Sequence, residues 1–455
     1  MSSSPWSRYR PSRSNLWNLA RAWTLRRRAG FAATWSELDR DLKDGPDTAI
    51  DRVLAGQCRT AGVPADFAAT ADLLGNAAAA TSDADRLQAW WLYRMLFTPD
   101  PLTERLTLLW HDHFATSQLK VEDVESMHDQ NITIRRHARG PFSELLRAML
   151  RDPALLVWLD APSNRKGKPN ENLARELMEL FTLGVGNYSE RDVKEAARAL
   201  TGRTVLQGRY AFRAEHHDDG EKSVLGKTAR LDGDRLADVL LDQPATSRRL
   251  AWRLCREFLG EGVADDRAIA ALAESLRADH LHIGRAVETI LRSELFFSPR
   301  NLHARVSSPV EFVVGAVRAL EQFTPPPSTL LLAEWTGKIG QALFYPPNVG
   351  GWPGGRSWLS GRTVIARANF AAALAEGRLA AGSHVETLDL RGLAARSGRS
   401  SDPLPFFHEL LTGQPLDENA FRQGVKQSET AGGTADERFN RAVALVLARP
   451  EAQLV

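Results

Sequence analysis

The sequence predicts a mainly α protein, with a large bundle-like core of many helices and one small β-hairpin insertion. Three observations predict this class. Apolar residues recur at helical spacing through most of the chain, and capping residues or glycines separate the periodic segments. Only residues 204–213 alternate as a strand does. With 455 residues, 43% of them hydrophobic, the chain is long enough to bury a large core.

Caps and periodicity predict the helices of the N-terminal part. Thr34-Trp-Ser-Glu37 has the pattern of a capping box and begins a helix that continues through Leu42. Pro101 suits the first turn of another helix, because proline lacks the N–H that this turn leaves unpaired. Periodicity places the remaining helices of this part at 66–80, 84–97, 120–138 and 141–151.

Two consecutive helices in the middle of the chain have clear ends. The first runs from Asn170 to Gly184, and Ser189 caps the second, which stops at Gly202. Gln207-Gly208 then lies where a hairpin turn is expected. Later helices are predicted over 234–242, 245–259, 266–278, 283–294, 309–320 and 363–376.

Changes in composition divide the chain into four predicted segments. Residues 1–20 form a basic N-terminal segment, and 20–376 form the helical core domain. Residues 377–404 lose periodicity and are rich in Gly, Ser and Arg, which is typical of a linker. Residues 405–455 form a C-terminal helical segment.

Charge and cysteine content restrict the class of protein. With 58 basic and 56 acidic side chains, no overall field favours nucleic acid, so binding through the N-terminal arginines is the weakest hypothesis. The two cysteines, Cys58 and Cys255, exclude a disulfide framework and fit a reducing compartment. Neither a signal peptide nor a membrane-spanning run is recognised, so we expect a cytoplasmic protein.

The helix from Asn170 to Gly184 has apolar residues on every side, so we expect other helices to enclose it and to bury and pair some of its charges. Arg175 is four residues from both Glu171 and Glu179, a spacing that intrahelical salt bridges explain. Glu176 is left without such a partner and is the first candidate for a working carboxylate. The other candidate site residues of this helix are Asn170, Glu171, Asn172 and Arg175.

Trp110-His-Asp-His-Phe114 suggests a metal site, because His-x-His is common among zinc and iron ligands. On a helix, however, His111 and His113 point about 160° apart, so they converge only if the chain is extended there. The pattern favours His113 as a hydrogen-bonded core residue and leaves open a role in metal binding or proton transfer.

Two loops carry further candidates. In residues 216–220, His217 beside Asp218 suits metal binding or acid–base chemistry, although an exposed polar turn explains the same residues. The glycine-rich stretch 345–363 lacks a phosphate-loop pattern, and its Trp352 either lines a pocket or fills the core.

The order of these motifs resembles the bacterial family catalogued as domain of unknown function 1800. The resemblance covers about residues 20–376. It implies a mainly helical fold but no activity, and many relatives carry export signals and occur beside a sulfatase-like protein, so envelope association stays open. Its most specific motif is the run at 170–186, and it also rests on the motifs at 25–31, 110–114, 152–156, 199–202, 217–222, 308–312, 351–353 and 358–360.

Two functional hypotheses follow. The first is a metal-assisted enzyme of hydrolytic or oxygen-chemistry type, with a divalent metal ion and a His/Glu/Asp site in one cavity. The second is a non-catalytic scaffold or adaptor that acts with a separately encoded protein partner, such as the sulfatase-like companion. For the enzyme, the catalytic candidates are Glu176, His217, Asp218 and Arg175, and the metal-ligand candidates are His113, His111, His217 and Glu176.

Overall fold

The computed structural model describes residues 4–59, 61–380, 388–401, 403–417 and 432–455, and it confirms the mainly α prediction. Within these ranges no helix is long and apolar enough to cross a membrane. The helices of the first half are α1 Leu19–Arg28, α2 Trp35–Asp44, α3 Pro46–Leu54, α4 Phe67–Ala80, α5 Ala84–Phe97, α6 Pro101–His113, α7 Gln118–Val121, α8 Val124–His137, α9 Phe142–Met149, α10 Pro153–Trp158, α11 Asn172–Glu176 and α12 Glu190–Ala199. The later helices are α13 Gly233–Leu241, α14 Pro244–Phe258, α15 Asp266–Ala278, α16 Ile283–Leu291, α17 Pro309–Ala319, α18 Thr329–Ile339, α19 Gly361–Ala375, α20 Leu390–Arg396, α21 Pro403–Thr412 and α22 Ala435–Ala448.

The predicted hairpin is present and is followed by a second one. Strands β1 (Arg203–Leu206) and β2 (Arg209–Phe212) pair antiparallel around Gln207-Gly208, whose positive φ angles suit a two-residue turn. Strands β3 (Lys222–Val224) and β4 (Lys227–Ala229) form another antiparallel pair. Three-residue strands are too short to show the alternation from which a strand is recognised, so the sequence did not predict this pair.

The helices enclose two large hydrophobic clusters, and α6 contributes to both. Leu106 and Leu109 pack in the first cluster, with the π-helix Leu177–Thr182 that follows α11 and with α12 and α14. Leu108 packs in the second, with α5 and α17. Because it lies between two cores, α6 is buried around most of its circumference, and its polar residues Glu104, Arg105 and His111 are buried with it.

The C-terminal helices pack against α1 and α19. The indole N–H of Trp23 in α1 donates to the carbonyl of Leu410 in α21 at 3.0 Å, and Asn440 in α22 donates to the carbonyl of Ala375 at 3.2 Å. Helix α20 lies in the predicted linker, of which residues 381–387 and 402 are outside the described residues. Residues 1–3 of the basic segment and 418–431 are also outside them. The four-segment division stays a prediction.

Candidate functional site

The predicted helix from Asn170 to Gly184 is α-helical only at its start. After α11 the chain forms a π-helix over Leu177–Thr182, and Leu183 N–H donates to the Met178 carbonyl at 2.8 Å, five residues back. π-Helical turns are rare and are often found at functional sites. Apart from Leu180, the large apolar side chains of the segment are buried as expected, but Glu171, Arg175 and Glu176 are only half-buried. The expectation of buried charges was therefore wrong, because the segment has one face at the surface.

The charges of this segment pair partly as predicted. Arg175 donates to Glu171 at 3.1 Å, as the spacing predicts, and also to Glu190 at 2.8 Å. Glu179 accepts from the Tyr188 hydroxyl at 2.5 Å rather than from Arg175, because the wider π turn rotates the side chains that follow α11. Glu176 has no hydrogen bond or ion pair within the described residues. Burial and then the charge of Glu179 raise its pKa.

The asparagines at the start of the motif shape the loop before α11. The side-chain oxygen of Asn170 accepts from the backbone N–H of Asn172 at 2.9 Å. The backbone N–H of Asn170 donates to the side chain of Asn164 at 3.0 Å, and the Asn172 amide donates to Asp160 at 3.0 Å. These bonds give Asn170 and Asn172 a structural role.

The two motif histidines of α6 occupy different environments. His113 is buried among aromatic rings, and its Nε2 lies 3.1 Å from the carbonyl oxygen of Phe181, as expected for a hydrogen-bonded core histidine. His111 is buried against Trp91 and Trp352, and neither of its ring nitrogens has a partner in the described structure. Burial lowers the pKa of His111 to about 3, and burial followed by nearby arginines lowers that of His113. Both imidazoles are therefore neutral at pH 7.

The predicted acid–base pair His217–Asp218 is satisfied by its own neighbours. His217 Nδ1 lies 2.9 Å from the carbonyl oxygen of Thr201. Asp218 accepts from Nε of Arg198 at 2.8 Å and from the N–H of Gly220 at 3.0 Å. The hydrogen bond from Arg198 is the main reason that the pKa of Asp218 is lowered.

The predicted metal ligands have no common centre. His113 contacts the π-helix, His111 contacts Trp91 and Trp352, and His217 contacts the end of α12. Across the described ranges, no group of three or more His, Cys, Asp or Glu side chains is placed to hold a metal ion. The structure therefore gives no support to the predicted shared cavity around His111, His113, Glu176 and His217.

The structure instead presents a cleft of about 240 Å³ between α6, α14, the start of α17 and the glycine-rich loop. Asp112, the residue between the two histidines, lies on its wall. The Asp112 carboxylate accepts from the backbone N–H of Trp352 at 2.8 Å and from Arg253 at 2.9 Å. Of the predicted site residues, Trp352 lines this cleft, whereas Glu176 and His217 do not.

Helix α14 contributes three arginines and a tryptophan to the cleft wall. Arg249, Trp252, Arg253 and Arg256 have the spacing of one helical face. The guanidinium carbons of Arg249 and Arg256 lie 4.9 and 5.4 Å from the centroid of the Trp252 ring. These cation–π contacts hold both guanidinium groups against the indole ring, and a guanidinium in contact through its face can still donate hydrogen bonds from its edge.

A buried ion network forms another wall of the cleft. Arg105, 1% exposed, pairs with Glu257 and, at 2.6 Å, with Glu311. Glu311 also pairs with Arg305. Burial acts to raise the pKa of Glu311, but Arg105 and Arg305 outweigh it and hold the pKa well below its usual range. The network is thus charged at neutral pH and fixes α6, α14 and α17 relative to one another.

The arginines of α14 were not predicted as site residues, although the sequence contains a signal for them. Residues 249–256 read Arg-x-x-Trp-Arg-x-x-Arg, which places three cations and an aromatic ring on one helical face. For the motif of α6, the prediction named the two histidines and not Asp112 between them. Its carboxylate is the side chain of that motif that reaches the cleft.

The comparisons with known proteins identify a family and no activity. The chain matches no curated protein and no solved structure. It matches the family described as Protein of unknown function (DUF1800) over residues 24–454, which is nearly its whole length. The chain belongs to this DUF1800 family.

Proposed function

We propose that the protein binds a small ligand bearing an oxyanion in the cleft between α6, α14 and the glycine-rich loop. The observation that carries the proposal is the side chain of Arg249. It lines the cleft half-buried, no carboxylate of the described residues pairs with it, and its Nε has no hydrogen-bond acceptor. A partly desolvated guanidinium without an anion is costly, and a bound oxyanion would supply the missing partner.

The neighbouring arginines increase the free energy that Arg249 would gain by binding an anion. Burial, then Arg253 and Arg256, lower the pKa of Arg249, and the charge of Glu179 acts in the opposite direction with a smaller effect. The free cleft therefore contains repulsion between cations that an anion would relieve. Stacking on Trp252 holds the guanidinium of Arg249 in one orientation, which reduces the entropy lost on binding.

Thermal unfolding with and without added anion tests the proposal. Acetate or phosphate should raise the unfolding temperature of the wild type. At an anion concentration of a hundred times the dissociation constant, the free energy of unfolding should increase by about 2.7 kcal/mol. The Arg249→Gln variant should lose this protection. Arg248→Gln is the matched control, because the substitution removes the same charge from an exposed residue outside the cleft. Arg248 pairs with Asp266 at 2.9 Å. Equal protection of both variants, or none in the wild type, would refute the proposal.

A metal-assisted enzyme is the second candidate, and Glu176 is the observation that favours it. This half-buried carboxylate lacks a partner among the described residues, adjoins a π-helical turn and has a raised pKa. In this proposal Glu176 is the working carboxylate, and a divalent ion is the cofactor. Metal analysis of freshly purified protein tests it, and a metal-free, folded preparation would count against it.

The scaffold hypothesis also stays a prediction. It assigns the buried ion network around Glu311 to packing and requires a separately encoded protein partner. Co-purification from cells at native expression levels tests it, and recovery of the chain alone would argue against it.

A further inference from the structure

We infer that the cleft is matched to a ligand carrying one negative charge, presented as a carboxylate on a short apolar body. The inference rests on the proposed anion-binding function and specifies the ligand class. It follows from the charges that line the cleft and from the shape of the cation that is left over.

The cleft is lined by five arginines and four carboxylates. Four of the arginines have carboxylate partners. Arg105 pairs with Glu257 and Glu311, and Arg305 also pairs with Glu311. Arg253 pairs with Asp112 at 2.9 Å, and Arg256 pairs with Glu261 at 3.3 Å. Arg249 is the lining arginine left over within the described residues. One negative charge would therefore neutralise the cleft.

A second negative charge on the ligand would find no unpaired cation. It would compete with Asp112 for Arg253 or with Glu261 for Arg256, and it would lie near these carboxylates at the same time. Like charges in a partly desolvated cleft repel strongly. A dianion should therefore bind more weakly than a monoanion of the same shape.

The free edge of Arg249 favours a planar anion. Because Trp252 covers a face of the guanidinium, its N–H groups are available along the edge, and a carboxylate accepts two parallel hydrogen bonds from such an edge. Leu108, Leu109 and Trp358 supply apolar surface beside it. The rest of the ligand should accordingly be small and apolar, in keeping with a cleft of about 240 Å³.

Three probes with a common phenyl body test the inference by titration calorimetry at pH 8. Benzoate is a planar monoanion, phenyl sulfate a tetrahedral monoanion and phenyl phosphate a dianion. The wild type should bind benzoate most tightly and phenyl phosphate about tenfold more weakly or worse. In Asp112→Asn the cleft loses one carboxylate and Arg253 loses its partner, so the affinity for phenyl phosphate should gain about tenfold relative to that for benzoate.

A second variant keeps the test valid if Asp112→Asn does not fold. Glu261 is exposed, so Glu261→Gln should fold, release Arg256 and improve phenyl phosphate binding in the same direction. Phenyl phosphate binding as tightly as benzoate to the wild type would overturn the charge assignment, and tighter binding of phenyl sulfate would overturn the carboxylate assignment. If no probe binds, or if Arg249→Gln binds all three unchanged, the proposed function itself fails.

Discussion

The backbone N–H of Trp352 donates a 2.8 Å hydrogen bond to the carboxylate of Asp112 and so fastens the glycine-rich loop to the end of α6. The two residues are 240 positions apart in the sequence. The same carboxylate holds Arg253 of α14 at 2.9 Å. Asp112 thus connects three parts of the chain, and the cleft is formed where they meet.

We predict that Gly351→Ala opens this junction. Gly351 has a φ of +80°, and an added Cβ would lie 2.6 Å from the backbone oxygen of Asp112. The left-handed backbone and the collision should together cost about 1–3 kcal/mol of unfolding free energy and remove anion protection. Chemical denaturation measures the cost. Gly361→Ala is the control, because an added Cβ there meets no atom within 4 Å. Equal stability of the two variants would contradict the prediction.

We predict that Glu311→Gln is among the most destabilising single changes in the protein. It leaves Arg105 and Arg305 buried without their shared carboxylate, and breaking such a buried pair costs about 3–5 kcal/mol. Glu334→Gln is the matched control. Glu334 is 58% exposed and pairs with Lys338, and a pair of this kind contributes about 0–1 kcal/mol. A cost below that of the control would show that the network adds no stability.

Because of the lowered pKa of Glu311, we also predict that the stability of the protein depends on pH. Because the pKa of Glu311 is lower in the folded protein than in the unfolded chain, its stabilising effect is complete above about pH 4.3, the usual pKa of glutamate. That effect is lost as the pH falls further, through the lower pKa of the folded state. The stability difference between wild type and Glu311→Gln should therefore narrow below this pH. If the stability difference between wild type and Glu311→Gln stays constant down to pH 3, the lowered pKa of Glu311 does not contribute to stability.

We predict that His111 makes the protein sensitive to mild acid. Burial lowers its pKa from 6.5 to about 3, so unfolding takes up a proton between these pH values. Stability should then fall as the pH decreases from about 6.5, by up to about 1.4 kcal/mol per pH unit for this residue. His111→Leu, an apolar replacement of similar size, should reduce that slope in denaturation experiments at pH 4–7. An unchanged slope would assign the acid sensitivity to other groups, such as His113.

The fold was predictable because its signals are local. The capping box at Thr34 is present as predicted, and so is the hairpin turn at Gln207-Gly208. Caps and turns depend on residues a few positions apart, which a single sequence displays. The π-helical turn after α11 was not predicted, because side-chain periodicity over six residues does not separate a π turn from an α turn.

The cleft was not predictable for the opposite reason. The bond between Asp112 and Trp352 depends on tertiary packing that brings α6 to the glycine-rich loop. Histidine side chains are suited to metal binding and proton transfer and were therefore predicted as site residues. In the structure, however, His111 and His113 are packed among aromatic rings. The arginine face of α14 was visible as a pattern, but whether its charges have partners depends on helices distant in the sequence.

The last prediction concerns Glu176, the candidate that the sequence ranked first. In the structure its carboxylate is half-buried beside Glu179, without a partner in the described ranges. If Glu176 binds no ligand or metal ion, Glu176→Gln removes its repulsion with Glu179. The free energy of unfolding at pH 7 should then be unchanged or slightly raised. The gain should stay below about 1 kcal/mol, because water screens a half-exposed group.

Glu179→Gln is the matched comparison for this test. It weakens the 2.5 Å hydrogen bond from the Tyr188 hydroxyl and should cost about 1 kcal/mol. The two variants lie three residues apart and remove the same charge, so they separate a free carboxylate from a bonded one. A marked destabilisation by Glu176→Gln, with a similar loss of stability when divalent ions are chelated from the wild type, would instead mean that Glu176 holds a cation, as the metal-assisted hypothesis requires.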